Sequence, residues 1–228
     1  MIARAVGRPH TPCREESEAV DISDLIITHS DMTMSLYHYF FPYHTGKIHP
    51  NVIWFGEWIY REALNYCRLK RPFSERDIDV LFISSSWGRA EKNYELVKQI
   101  AARLKGATIH VLGEVDEKSA SVTHQGLVTE RETLFALMER AKTVVSPSLI
   151  DAAPGILFEA SAMECNIVAS KNCGNWMICN EHLLVDPFTS DQFLQKITLS
   201  LSRKFEDNMD FFFETHSYRN LTETILAV

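Results

Sequence analysis

Residues 143–170, TVVSPSLIDAAPGILFEASAMECNIVAS, decide how this chain folds. The apolar run Thr143-Val144-Val145 ends in Ser146-Pro147-Ser148, Asp151 follows, and Pro154-Gly155 opens a helix that carries Glu159. A second apolar run, Ile167-Val168-Ala169, completes a strand–loop–helix–strand unit. In such a unit the N–H groups of the first helical turn lack partners and face the mouth of a sheet, with a carboxylate one turn in. Proteins hold phosphorylated, hydroxyl-rich ligands in this way.

Outward from this unit the same alternation continues. Val80-Leu81-Phe82-Ile83 predicts a strand, and residues 91–104 a helix with Leu96, Val97, Ile100 and Leu104 on one side. A strand at 108–112, a shorter one around Gly126-Leu127-Val128, and a helix at 130–140 with Leu134, Leu137 and Met138 inward follow. Downstream lie a helix at 155–164, a strand at 166–169, a short helix near 175–180 and a helix at 189–204. Near-continuous apolar strands between amphipathic helices predict a parallel sheet covered on both faces. The fold class is therefore α/β, a Rossmann-like domain over residues 76–204.

The flanks are less regular. Residues 1–20 read as a flexible lead-in, and 21–75 as a separate segment ending in the linker Arg71-Pro72-Phe73-Ser74. Within it Leu25-Ile26-Ile27 and Val52-Ile53-Trp54-Phe55 predict strands. Residues 32–41, stopped by Pro42, and 57–70 predict helices. Residues 205–228 are rich in Phe and predict helices that pack back on the body.

Composition excludes several classes. A length of 228 residues suits one large domain or one domain plus part of another. With a net charge of −7, the chain has no general attraction to nucleic acid or to an anionic membrane. No apolar stretch approaches the roughly 20 residues of a membrane span, and the N-terminus carries acids and lacks the apolar core of a secretory signal. A cytoplasmic location is expected. Cys13, Cys67, Cys165, Cys173 and Cys179 form no CxxC pair and read as buried thiols in a reducing compartment, not as a metal site.

The candidate chemistry sits where two strands end. After the strand at 80–83 comes Ser84-Ser85-Ser86-Trp87-Gly88-Arg89-Ala90-Glu91-Lys92-Asn93. Small polar residues and then two cations at the mouth of a helix suit a diphosphate: Arg89 offers a bidentate fork, Lys92 a mobile point charge. Solvated surface cations are the ordinary alternative, but ligands of open parallel sheets bind at the carboxyl ends of strands. Glu159 can accept two hydrogen bonds from a vicinal diol such as a ribose; alternatively it only complements the helix dipole while Asp151 caps a turn. The chain has no GxGxxG and no GxxxxGK[ST], which disfavours dinucleotide reduction and P-loop phosphoryl transfer. Asp77-Ile78-Asp79 superficially matches a metal-binding DxD, yet it precedes a strand and reads as a solvated strand start. His29, His38, His44 and His49 read as surface or packed histidines.

Taken together, Arg89, Lys92 and the segment from Ser146 to Ala160 resemble the C-terminal, donor-binding domain of GT-B glycosyltransferases, in the retaining group 1 family with a Glu-x7-Glu signature. The resemblance implies that residues 21–75 are the end of an N-terminal domain and the crossing to the second. It implies transfer of a sugar, of hexosyl type, from a nucleotide-diphosphate sugar to a hydroxyl of a carbohydrate or glycolipid acceptor. Retention of configuration, no metal and no cofactor, and a role in polysaccharide or glycoconjugate synthesis come with it. Arg89 and Lys92 would neutralise the donor diphosphate, Asp151 would contact the donor sugar and Glu159 would hold the ribose. The N–H groups of Ala152, Ala153, Gly155 and Ile156 would face sugar or phosphate, with the base resting near Leu127, Val128 and Ser148. Here the first signature acid is Asp, one methylene shorter than Glu, and Glu164 stands where a helix-ending Gly is usual. The resemblance also implies that most of the acceptor side, where the family keeps a catalytic His, lies outside this chain. It would come from the rest of a longer enzyme or from a second polypeptide. The alternative is a nucleotide-sugar-binding subunit without turnover.

Overall fold

The computed structural model describes residues 13–28, 31–50, 54–66, 71–215 and 218–226. Its centre is a six-stranded sheet of β3 (Ile78–Ser86), β4 (Ile109–Glu114), β5 (Thr123–Gly126), β6 (Ala141–Ser146), β7 (Asn166–Ser170) and β8 (Leu184–Val185). The spatial order is β5-β4-β3-β6-β7-β8, and every neighbouring pair is parallel. The helices α4 (Tyr94–Arg103), α5 (Arg131–Glu139) and α6 (Ile156–Ala162) lie between the strands, and α7 (Ser190–Ser202) follows the last one.

Strand side chains alternate between two cores. Leu81, Val144 and Ile167 face one side, where they meet Phe135 and Met138 of α5 and Leu157 and Phe158 of α6. Val80, Phe82, Val145 and Val168 face the other, against Leu96, Val97 and Ile100 of α4 and Phe193 and Ile197 of α7. Phe82, Phe158 and Phe193 are wholly buried, each contributing roughly 1.5–3 kcal/mol of burial. The expected α/β fold is therefore found, sheet and both covering layers.

Ahead of the sheet, α1 (Arg14–Ile22) takes up the last residues of the stretch expected to be a flexible lead-in and runs two residues past it. The Glu16 carboxylate accepts the Cys13 N–H at 3.1 Å, and Lys47 Nζ donates to the Ser23 carbonyl at 2.8 Å just past the helix end, so both ends are held. Cys13 is exposed, against expectation, because it stands at the solvent-facing start of this helix. Cys165, Cys173 and Cys179 are buried; Cys67 lies outside the described residues. Strands β1 (Ile26–Thr28) and β2 (Ile48–Pro50) pair in parallel as a separate small sheet, beside α2 (Asp31–Phe40).

The strand expected at 52–55 is corrected. Val52 and Ile53 lie outside the described residues, and Trp54 and Phe55 begin α3 (Trp54–Tyr66). A four-residue apolar run does not separate strand from helix, whereas Ile59 and Ala63, four apart, mark a helical stripe. Ala63 is buried in the first core and Ile59 packs against it, so α3 lies on α6. Residues 67–70 of the expected helix, and His29, lie outside the described residues. Past the sheet, α8 (Met209–Thr215) packs back through buried Phe212, and α9 (Tyr218–Leu226) follows.

Candidate functional site

The strand order creates one crevice. From β3 the chain moves outward through β4 to β5, then returns to the other flank of β3 as β6. Loops leaving the carboxyl ends of β3 and β6 therefore diverge, and open α/β sheets bind ligands at such a switch point.

The loop after β3 is set by tight backbone contacts. Its register with β4 shifts between Ile83 and Ser86. Opposite stands Gly113 with φ +116°, where an added Cβ would lie 1.8 Å from the Ser84 carbonyl oxygen, so only glycine fits. Trp87 plugs the bend: its ring N–H donates to the Leu112 carbonyl at 2.8 Å and its backbone N–H to Glu114 at 2.8 Å. The chain then emerges as a single 3-10 turn, Ala90–Lys92, which ends at Asn93 in the left-handed region with φ 61°. That residue divides the single helix expected over 91–104.

The loop after β6 is stitched to this turn. Leu149 N–H donates to the Glu91 carbonyl at 2.8 Å, and the Asn93 side-chain amide donates to Pro147 at 3.1 Å and to Pro187, beyond β8, at 3.3 Å. Lys92 Nζ donates to the Asp151 carboxylate across the crevice, with both side chains mostly buried. Asp151 is held from behind by β7's loop: its N–H donates to Asn172 at 3.1 Å and its carbonyl accepts from Gly174 at 2.8 Å. Asn175, fully buried, donates to the Pro154 carbonyl at 2.9 Å. Among the described residues, no hydrogen bond takes up the N–H groups of Ala152, Ala153, Gly155 or Ile156. The loop is thus rigid yet keeps donors free.

Glu159 lies one turn into α6 and is buried. Its Oε1 accepts from Arg131 Nη2 of α5 at 3.2 Å, and the same Nη2 stands 3.0 Å from Glu62 Oε2 of α3. The Glu62 approach is close, yet its geometry makes no hydrogen bond: Glu62 Oε2 and Arg131 Nε are both buried without one. Burial raises the Glu159 carboxyl above its ordinary pKa, Arg131 pulls it down, and Glu62 pushes it up again. Neither Arg131 nor Glu62 is predicted from the sequence. Both sit on amphipathic helices as ordinary charged residues, and only the fold brings them to Glu159.

Other expected residues divide as follows. Arg89 sits on the rim, 45% exposed and 3.8 Å from Glu91, while Lys92 is the cation that reaches Asp151. Ser148 is buried after β6. Leu127 is half exposed and Val128 packs on the first core; both lie past the end of β5, which stops at Gly126 rather than running through 128. An added Cβ at Gly155 would stand 3.1 Å from the tip of Ile59, so α3 approaches the start of α6 closely. At the other end of α6, Glu164 occupies the left-handed position with φ 55°, the conformation a helix-ending glycine would take. Burial pushes the Cys173 thiol up to about 12, and Cys179 also rises, so neither supplies a thiolate.

At this strand entry Asp77 is solvated as expected, yet also ion-paired, while Asp79 is mostly buried in its own ion pair. Arg140 grips Asp77 at 2.6 and 3.0 Å, and Lys142 reaches Asp79 at 2.7 Å, because β3 and β6 start side by side. Among the described residues, no group of three or more His, Cys, Asp or Glu could hold a metal ion. No described helix is long and apolar enough to cross a membrane.

Comparison with known proteins bears on this geometry. A search of curated protein sequences gives no match. Among solved structures, the chain is similar to the lipopolysaccharide outer core galactosyltransferase WaaB in its apo form (TM-score 0.70, 12% identity, covering 94% of this chain and 65% of that one). It is similar to a glycosyltransferase from Rickettsia africae ESF-5 (0.69, 12%, covering 88% and 60%). A third is Anabaena Alr3699/HepE in complex with UDP and glucose (0.66, 13%, covering 93% and 65%). The chain thus spans less than two thirds of each, and at these identities the likeness is one of fold, the GT-B glycosyltransferase fold. A family profile described as Glycosyl transferases group 1 matches residues 77–203, more than half of the chain, and the chain belongs to that family.

Proposed function

We propose that this chain is the donor-binding part of a glycosyltransferase that moves a hexosyl group from a nucleotide-diphosphate sugar to a hydroxyl of a carbohydrate or glycolipid. The observation that carries the reading is the Lys92–Asp151 contact across the switch-point crevice, beside four unused backbone N–H groups. Arg89 and Lys92 neutralise the diphosphate as it leaves, and the N–H groups of Ala152, Ala153, Gly155 and Ile156 receive phosphate or sugar oxygens. Glu159 takes the ribose hydroxyls; Ser148, Leu127 and Val128 border the base. The similar HepE structure is a complex with UDP and glucose, which makes uridine diphosphate the first ligand to try. The sugar passes through an oxocarbenium-like state and is attacked on the face the diphosphate leaves, retaining configuration, in a metal-free cytoplasmic reaction that builds a polysaccharide or glycoconjugate. Turnover requires an acceptor-binding surface facing this rim, in the same or another polypeptide.

Because Asp151 already occupies Lys92, donor binding exchanges one anion for another. Calorimetry with uridine and guanosine diphosphates tests the site. Changing Arg89 and Lys92 to Ala weakens binding by more than about tenfold, since charged hydrogen bonds are worth ~1.5–3 kcal/mol each. Asp151→Asn releases Lys92 and tightens diphosphate binding while impairing transfer. Affinity untouched by the double change removes the clamp from the reading.

A further inference from the structure

Three charged groups from three helices meet at Glu159: its own carboxylate on α6, Arg131 on α5 and Glu62 on α3. One guanidinium nitrogen serves both acids, but only Glu159 receives a directed hydrogen bond. Arg131 also lies over the Phe135 ring, 5.2 Å from the centroid, a contact that favours its place between the two acids. Among the described residues, Arg131 and Glu62 are the charged groups that bear on Glu159. Val144, Ile167 and Ala169 of β6 and β7 are apolar, and Asp207, before α8, is hydrogen-bonded to Ser161.

We infer that Arg131 is a positioning residue that keeps the Glu159 carboxylate ionised and oriented for a diol, and that Glu62 competes for it. The ribose acid is then tuned from α3, a helix that precedes the donor-binding sheet. The role of Glu159 rests on the proposed function; the three-way contact does not. A buried carboxylate left alone protonates, and a protonated one donates where a diol needs acceptors. Each carboxylate oxygen has two lone pairs, so one bond from Arg131 leaves room for both ribose hydroxyls. The under-satisfied Glu62 is what makes the device adjustable: any shift of α3 that withdraws it gives Arg131 wholly to Glu159.

The test has two readouts. In the ligand-free protein, carbon NMR follows the titration of Glu159: Arg131→Gln moves its midpoint up, Glu62→Gln moves it down, and Arg131→Lys restores most of the loss. Calorimetry then compares uridine diphosphate with its dideoxyribose counterpart. Arg131→Gln removes the preference for the ribose form, by about tenfold, and leaves the dideoxy affinity in place. Folding of each variant is checked by its urea midpoint. A Glu159 midpoint that ignores both substitutions overturns the inference, as does an equal loss for both nucleotides, which marks a merely structural role. If the midpoint moves as stated and neither nucleotide binds the wild type, the positioning stands and the donor-site reading falls.

Discussion

At the amino edge of the sheet Arg140 closes on Asp77 with two hydrogen bonds, and Asp79 takes Lys142 and the Thr108 N–H together. At the carboxyl edge one guanidinium nitrogen stands close to both Glu62 and Glu159, and Lys92 is held by Asp151 across the crevice. The carboxyl groups register the contrast. Asp77 is held down to about 2 by Arg140, whereas burial pushes Glu159 up. One edge uses its charges to close the fold; the other leaves them incompletely paired. Incomplete pairing costs stability, and it persists where a ligand completes the set.

The largest break falls at Gly113. Alanine there places a methyl group inside the Ser84 carbonyl and fixes a positive φ, so β3 and β4 must part at the rim. A loss of about 4 kcal/mol or more is expected in urea denaturation, with nucleotide binding abolished. An unchanged midpoint would show that the rim yields easily and that its glycine has no structural demand.

Next comes Arg76, the amino edge's buried cation. Its guanidinium donates to Ala141 at 2.8 Å, Met163 at 2.9 Å and Arg71 at 3.2 Å, joining the linker, β6 and the end of α6. Arg76→Met strands these carbonyls and should cost about 3 kcal/mol of stability. Nucleotide affinity, measured well below the melting temperature, should stay within about twofold, since less than about 0.5 kcal/mol of binding energy is at stake. A large affinity loss would erase the division between the edges.

What the sequence reveals follows the same division. The sheet is readable because each strand is an apolar run with turn residues after it, and Lys92, Asp151 and Glu159 because they follow strand ends. Sequence cannot show that Arg131 and Glu62 meet, since they are 69 residues apart and owe their contact to α3 packing against both α5 and α6. The left-handed Asn93 is hidden inside an otherwise helical pattern, and the two residues of β8 are too few to show a period. Arg76 looks like one more linker cation; only its 3% exposure reveals the clamp.

The smallest effect belongs to Asp77, and its sign is fixed. A carboxyl depressed to about 2 stabilises the fold above its unfolded value of about 3.9 and loses that contribution as pH falls through 2. The pair is open to water, with side-chain exposures of 39% for Arg140 and 51% for Asp77, so solvent screens it to about 0.5 kcal/mol. Asp77→Asn should therefore lower stability slightly near neutrality, less in strong salt, and not at all near the acid limit. Glu159→Gln should do the reverse: its raised carboxyl contributes stability only at low pH and loses it as pH rises, so removing the charge stabilises the fold near neutrality while the proposed ribose contact is lost. If both substitutions shift stability in the same direction at neutral pH, the two edges do not use charge differently, and the carboxyl edge loses its claim to hold acids in reserve for a ligand.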